Sequence, residues 1–231
     1  MLRSGKPGGY HSLNSSSPRQ VAAEFTGTAI LVASIVGSGI MGERLAAGNA
    51  AIALLANSLA TGGVLLALIL TFSRVSGAHF NPLVTLTAAL QHELQARRAF
   101  AHVIAQILGG LAGVAVANLM FDLPAFLASQ HIRTGFAQLL AEGVATFGLI
   151  AVVRLSHSAF AIAAYIVGAY WFTSSTSFAN PAVTLARTLT DSFSGIRPAD
   201  APAFLAAQVA GCAAAAFFCQ WLTSGASNHA E

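Results

Sequence analysis

Long apolar runs alternate with short polar or proline-bearing breaks along this chain, and the run lengths set the architecture. A helix that crosses a bilayer takes roughly 20 mostly apolar residues. Six stretches qualify, at about Gln20 to Met41, Asn49 to Phe72, Ala99 to Met120, Gly135 to Ser156, Ser158 to Ser174 and Ala201 to Thr223. Gly42-Glu43-Arg44, Asp122-Leu123-Pro124 and Gly195-Ile196-Arg197-Pro198 are among the breaks between them; the fifth run is short and starts at the margin of the fourth. Two further runs, Pro82 to Leu90 and Pro181 to Leu189, are only about ten residues long and cannot cross as helices. They must be re-entrant or interfacial. Irregular backbone at membrane depth is tolerated only inside protein or beside a cavity, so a pair of half-helices marks a pathway. The expected fold is an all-α membrane protein of six transmembrane helices plus two re-entrant half-helices.

The order of elements repeats. Ala23-Glu24-Phe25-Thr26-Gly27 in the first span answers Ala141-Glu142-Gly143-Val144-Ala145 in the fourth, and Asn81-Pro82-Leu83-Val84-Thr85-Leu86 answers Asn180-Pro181-Ala182-Val183-Thr184-Leu185. Ala105-Gln106 in span three then answers Ala207-Gln208 in span six. Three spans per repeat is odd, so the second copy enters the membrane from the opposite side and the repeats are inverted. The two Asn-Pro segments dip in from opposite faces and can meet near the midplane.

Composition agrees with a bilayer as solvent: 231 residues, 55% hydrophobic and 8% charged, with a mean hydropathy of +0.69. The net charge of +3 does not indicate nucleic acid, because no basic run exceeds Arg97-Arg98 and no basic stripe follows a helix. It reads as topology. With the N-terminus inside, Arg3, Lys6, Arg19, Arg74, Arg97, Arg98 and Arg154 lie on the cytoplasmic side, against Arg44, Arg133, Arg187 and Arg197 opposite, as the positive-inside rule requires. Both termini are then cytoplasmic. Cys212 and Cys219, the only cysteines, fall about two turns apart on one helix, too far to bridge, and read as packing residues. No metal or cofactor spacing is present.

Asn is a favoured helix cap and Pro a favoured first helical residue, so each half-helix starts at its Asn. If the Asn carbonyl caps its own helix, the side-chain amide is left to donate into the lumen. An oxygen held by Asn81 and Asn180 together cannot also accept from a neighbouring water, which interrupts a proton-hopping chain. Two helix N-termini, each worth about half a positive charge, add a barrier to protons and cations. Glu24 and Glu142 are the acidic residues deep in the spans, and intramembrane carboxylates are functional by default. Gly109 and Gly113, spaced as GxxxG, suit close helix packing.

Ser76-Gly77-Ala78-His79-Phe80-Asn81-Pro82-Leu83-Val84-Thr85 resembles the first signature loop of the aquaporin (major intrinsic protein) family, and Phe178-Ala179-Asn180-Pro181-Ala182 the second. The likeness runs from Ala22 to Gly211. It implies a right-handed bundle, a homotetramer with one pore per subunit in the cell's inner membrane, no enzymatic activity, and Glu24, Glu142 and His79 anchoring the re-entrant loops. The Ser-, Gly- and Pro-rich start, with no apolar stretch of the kind a cleaved signal needs, reads as a disordered cytoplasmic tail at 1–19, ahead of a channel unit at 20–224 with repeats at about 20–120 and 135–224 and a tail at 225–231. Pro82, Leu83, Pro181 and Ala182 accompany the asparagines at the pore midplane, Leu83 standing where the family usually has Ala.

The resemblance also places an outer selectivity filter. Its Arg follows the second Asn-Pro-Ala, where this chain has Val183, and the other three positions carry over without gaps to Thr61, Gly168 and Ser177. All four are small or short and uncharged, which implies a wide ring. The combination is similar to a bacterial subgroup among aquaglyceroporins tied to arsenic resistance. The cargo it implies is small uncharged solutes: water, glycerol-like polyols and metalloids such as arsenite. The alternatives are a water-selective aquaporin, an ion-coupled secondary transporter built from the same kind of inverted repeat, and a structural membrane protein with a closed pore.

Overall fold

The computed structural model describes residues 17–224; of the expected tails at 1–19 and 225–231, residues 1–16 and 225–231 lie outside them. Eight helices follow in order among the described residues: α1 (Pro18–Leu45), α2 (Ala50–Ser76), α3 (Pro82–Leu90), α4 (Ala96–Met120), α5 (Phe136–Ser156), α6 (Ala159–Phe172), α7 (Pro181–Arg187) and α8 (Ala201–Ser224). Five of them, α1, α2, α4, α5 and α8, are long and apolar enough to cross a membrane. The sixth, α6, has 14 residues, about 21 Å at 1.5 Å per residue. It stops where Thr173 turns extended, its hydroxyl bonded back to Ala169 O at 2.6 Å, and the Ser/Thr-rich segment beyond folds back toward Asn180.

Local chemistry sets the ends. Pro18 occupies the first turn of α1 after Ser17, so Pro18 and Arg19 belong to the helix and not to the tail, as fits a residue with preset φ and no N–H to waste. The Asn49 side chain caps α2 by accepting from Ala51 N and Ile52 N, and Gly77 ends it in the left-handed region at φ 93°. The second half-helix closes at Arg187, two residues short of the expected Leu189.

The bundle is apolar outside and polar within. Phe100, Phe136, Phe160 and Phe217 are each at least 70% exposed, while Glu24, Gln106, Glu142 and Gln208 are wholly buried. Such a distribution suits lipid, where every buried polar group must be satisfied inside the protein. Close approach of helix backbones makes room for this interior. A Cβ on Gly109 or Gly113 would run into the carbonyl oxygens of Phe25 or Ala29 on α1, and a Cβ on Gly211 of α8 into that of Gly143 on α5. The α1–α4 and α5–α8 pairs are therefore equivalent contacts in the two halves, each made possible by missing side chains. Cys212 and Cys219 are free and buried on α8.

Candidate pore and its two half-helices

Helices α3 and α7 meet at their N-termini, and the asparagines there work in both directions. Asn81 Oδ1 accepts from Leu83 N at 2.9 Å, and Asn180 Oδ1 accepts from Ala182 N at 3.0 Å and Val183 N at 3.3 Å. Each amide reaches across to the other loop: Asn81 Nδ2 donates to Ala179 O and Asn180 Nδ2 to Phe80 O, both at 2.8 Å. An amide nitrogen carries two protons. One of each pair is thus committed to the opposite half, and one remains for the cavity that both residues line.

Two buried carboxylates hold the loops that carry these caps. Glu24 accepts from Ser76 Oγ at 2.6 Å, His79 N at 3.0 Å, Phe80 N at 2.8 Å and Gln106 Nε2 at 2.8 Å. Glu142 accepts from Phe178 N at 2.8 Å, Ala179 N at 3.0 Å and Gln208 Nε2 at 2.7 Å. Gln106 and Gln208 each give a second bond, at 2.8 Å, to Thr85 and Thr184 on the half-helices. His79 Nδ1 lies 3.0 Å from the same Thr85 hydroxyl. The loops need this hold because Ala78, Phe80, Thr176, Ser177 and Ala179 all sit at positive φ, a conformation that costs a non-glycine residue roughly 1 kcal/mol or more. Charge-assisted bonds to two or more successive N–H groups over-determine it.

A cavity of about 290 Å³ runs past both caps. The caps Asn81 and Asn180 line it, with Val84, Thr87 and Ala88 of α3, Val183 and Arg187 of α7, Leu31 and Ile35 of α1, Thr61 and Leu65 of α2, and Ile162, Ile166 and Tyr170 of α6. Its α3 end is bordered by His79, His157 and the ion pair of Arg154 with Glu93, whose two bonds are both 2.7 Å long. The other end is bordered by Ser177, Phe178 and Arg187.

The expected filter residues divide. Thr61, Ser177 and Val183 line the cavity together. Gly168 does not: it is exposed, and a Cβ there would meet nothing within 4 Å. On α6 the cavity-facing residues Ile162, Ile166 and Tyr170 are spaced by four, and Gly168 falls about 200° around the helix from its neighbours in that series. Tyr170, 2% exposed, lines the cavity from α6 instead, its hydroxyl 3.3 Å from Thr61 Oγ1. Spacing counted back from Asn180 without a helical phase could not reveal this; the i, i+4, i+8 series of bulky residues on α6 could have. Leu83 also turns away from the cavity and packs with Ile150, Cys212 and Ala215 against α5 and α8. It does not narrow the passage. Pro82, Pro181 and Ala182 lie behind the lining, Ala182 with its carbonyl against Gly110. Glu24 and Glu142 likewise bond the loops from outside the cavity. Among the described residues no group of three or more His, Cys, Asp or Glu is placed to hold a metal ion.

An apolar-jacketed helical bundle with two half-helices meeting cap to cap beside a continuous cavity is a membrane channel for small solutes. Residues 11–157 match the Major intrinsic protein family. The chain is 50% identical over 210 residues to the aquaglyceroporin AqpS of Rhizobium meliloti (strain 1021), covering 88% of this chain and 90% of that protein. It is 37% identical over 134 residues to a probable TIP-type aquaporin of Medicago truncatula, covering 55% and 52% of the two chains. The X-ray structure of the aquaglyceroporin from Plasmodium falciparum superposes with a TM-score of 0.67 at 19% identity, over 88% of this chain and 94% of that one, and so shares the fold. The chain belongs to the major intrinsic protein family.

Proposed function

We propose that this protein is a passive pore of aquaglyceroporin breadth, admitting water, glycerol-like polyols and uncharged metalloid hydroxides such as arsenite, As(OH)3. The observation that carries this is Val183, 2% exposed and facing the cavity in the first turn of α7. A short branched alkyl side chain there leaves width that a long charged one would fill. Around it Thr61, Tyr170 and Ser177 supply hydroxyls, while Leu31, Ile35 and Ile166 supply an apolar wall. A polyol or As(OH)3 presents hydroxyls on one side and a less polar body on the other, and this lining matches both. The name of the Rhizobium meliloti relative, an aquaglyceroporin, supports the same breadth.

At the midplane, the free amide proton of each of Asn81 and Asn180 donates to the passing oxygen, and Glu24, Glu142 and His79 keep the caps in place. The two repeats, about 20–120 and 135–224, form one channel unit, which assembles as a homotetramer in the inner membrane with both termini cytoplasmic. The test is a stopped-flow series on proteoliposomes with water, glycerol, urea and arsenite. Glycerol and arsenite should move in the wild type and be cut at least tenfold in Val183→Arg. Water movement faster than both by many orders, relative to a water-selective control, would make the pore water-specific. Saturating uptake that follows an ion gradient would make it a carrier.

A further inference from the structure

The loss of an arginine at position 183 suggests a pore without a fixed charge, yet the lining contains one. Arg187 ends α7, is 1% exposed and borders the cavity. It follows Val183 by four residues, so the two share a helix face about 6 Å apart along the axis. Helical side chains lean toward the N-terminus of their helix, and the Arg187 guanidinium lies over Phe178, which precedes α7. Its position is fixed on two sides. Nε donates to Ser194 O, and Cζ stacks 3.3 Å from the centroid of the Phe178 ring.

Arg133, beside the same ring at 5.1 Å, differs in that each of its three guanidinium nitrogens is bonded. Its Nε, Nη1 and Nη2 donate to Gly195 O, Ser175 O and Phe193 O. Arg187 has no carboxylate partner among the described residues, whose ion pairs are Arg154 with Glu93 and Arg197 with Asp200, and its Nη1 and Nη2 make no hydrogen bond there. Ser177 Oγ, in the same lining, is also buried without a partner.

We propose that Arg187 supplies the fixed positive charge and the solute-facing donors of this pore, displaced one helical turn from Val183, with Ser177 Oγ as its neighbouring hydrogen-bond partner for solute oxygens. This rests on the cavity being the solute path. Val183 then sets the width while Arg187 repels cations, so breadth for neutral solutes and exclusion of cations reside on separate residues. A unit charge about 8 Å from an ion's path at an effective dielectric of about 20 changes cation entry by about thirtyfold.

The experiment measures K⁺ current in planar bilayers and glycerol flux in proteoliposomes for wild type, R187Q, R187M, R187K and the R187Q/V183R double variant. R187Q should raise the K⁺ current by about thirtyfold; R187K and the double variant should keep the current low. R187M, which leaves no unpaired polar atom, replaces R187Q if the latter fails to fold by size exclusion. A K⁺ current within twofold of wild type in whichever of the two folds, or a leaky R187K, overturns the assignment. Absence of glycerol flux in the wild type counts instead against the polyol reading.

Discussion

Replacing Glu142 with Gln removes a charge and one acceptor while keeping the shape, and the structure fixes what that should cost. Oε1 accepts from Phe178 N, and Oε2 accepts from Ala179 N and Gln208 Nε2. A Gln carbonyl oxygen can serve one side only; its amide then faces a donor on the other. One buried N–H is orphaned, at about 1–3 kcal/mol, and the remaining bonds fall from charge-assisted to neutral, at about 1 kcal/mol each. The total is roughly 3–5 kcal/mol, concentrated on a loop whose Thr176, Ser177 and Ala179 already hold positive φ. Thermal unfolding in detergent, followed through Trp171 and Trp221, should shift down by several degrees. Glycerol flux should fall several-fold because Ser177 and Phe178 no longer hold the cavity wall. Glu24→Gln should cost at least as much, since Glu24 serves four donors. An E142Q protein that melts and conducts like wild type would refute the view that this carboxylate holds the loop.

Gly109→Ala should destabilise by about 1–3 kcal/mol, because its Cβ meets the Phe25 carbonyl and overpacks a close helix contact, whereas Gly168→Ala, in open space, should leave melting and glycerol flux unchanged; a flux change at 168 would return that residue to the filter. Burial pushes the Asp200 carboxyl up, but the Arg197 side-chain bond, the Arg133 N–H and the Arg197 charge outweigh it and hold the carboxyl below its ordinary value. Its stabilising contribution is therefore complete above the unfolded value of about 3.9 and is lost as pH falls through the folded one. The gap in melting temperature between wild type and Asp200→Asn should narrow as pH is lowered below the unfolded value; a constant gap would contradict the linkage.

The half-helices were legible in the chain because length alone forbids Pro82–Leu90 from crossing a bilayer, and because Asn-Pro carries its own start signal. The inverted repeat followed from counting spans between matched segments. What sequence spacing could not supply was rotation. Gly168 and Tyr170 are two residues apart, and only the phase of α6, set by packing against α2 and α5, decides which one faces the cavity. The same holds for Leu83, whose side is chosen by the space between α5 and α8. A gap-free count asks about single positions, while a long side chain such as Arg187 reaches beyond its own turn, to the Phe178 ring.

The crossed bonds from Asn81 to Ala179 and from Asn180 to Phe80 mean that neither half orients its capping asparagine alone. Each asparagine is positioned partly by backbone that belongs to the other repeat, so the pore's centre is a property of the pair. A free-standing half could assemble the same centre only by meeting a copy of itself inserted in the opposite direction. The single chain escapes that requirement of dual insertion: its linker between α4 and α5 delivers the two orientations in fixed one-to-one proportion, every time it is made.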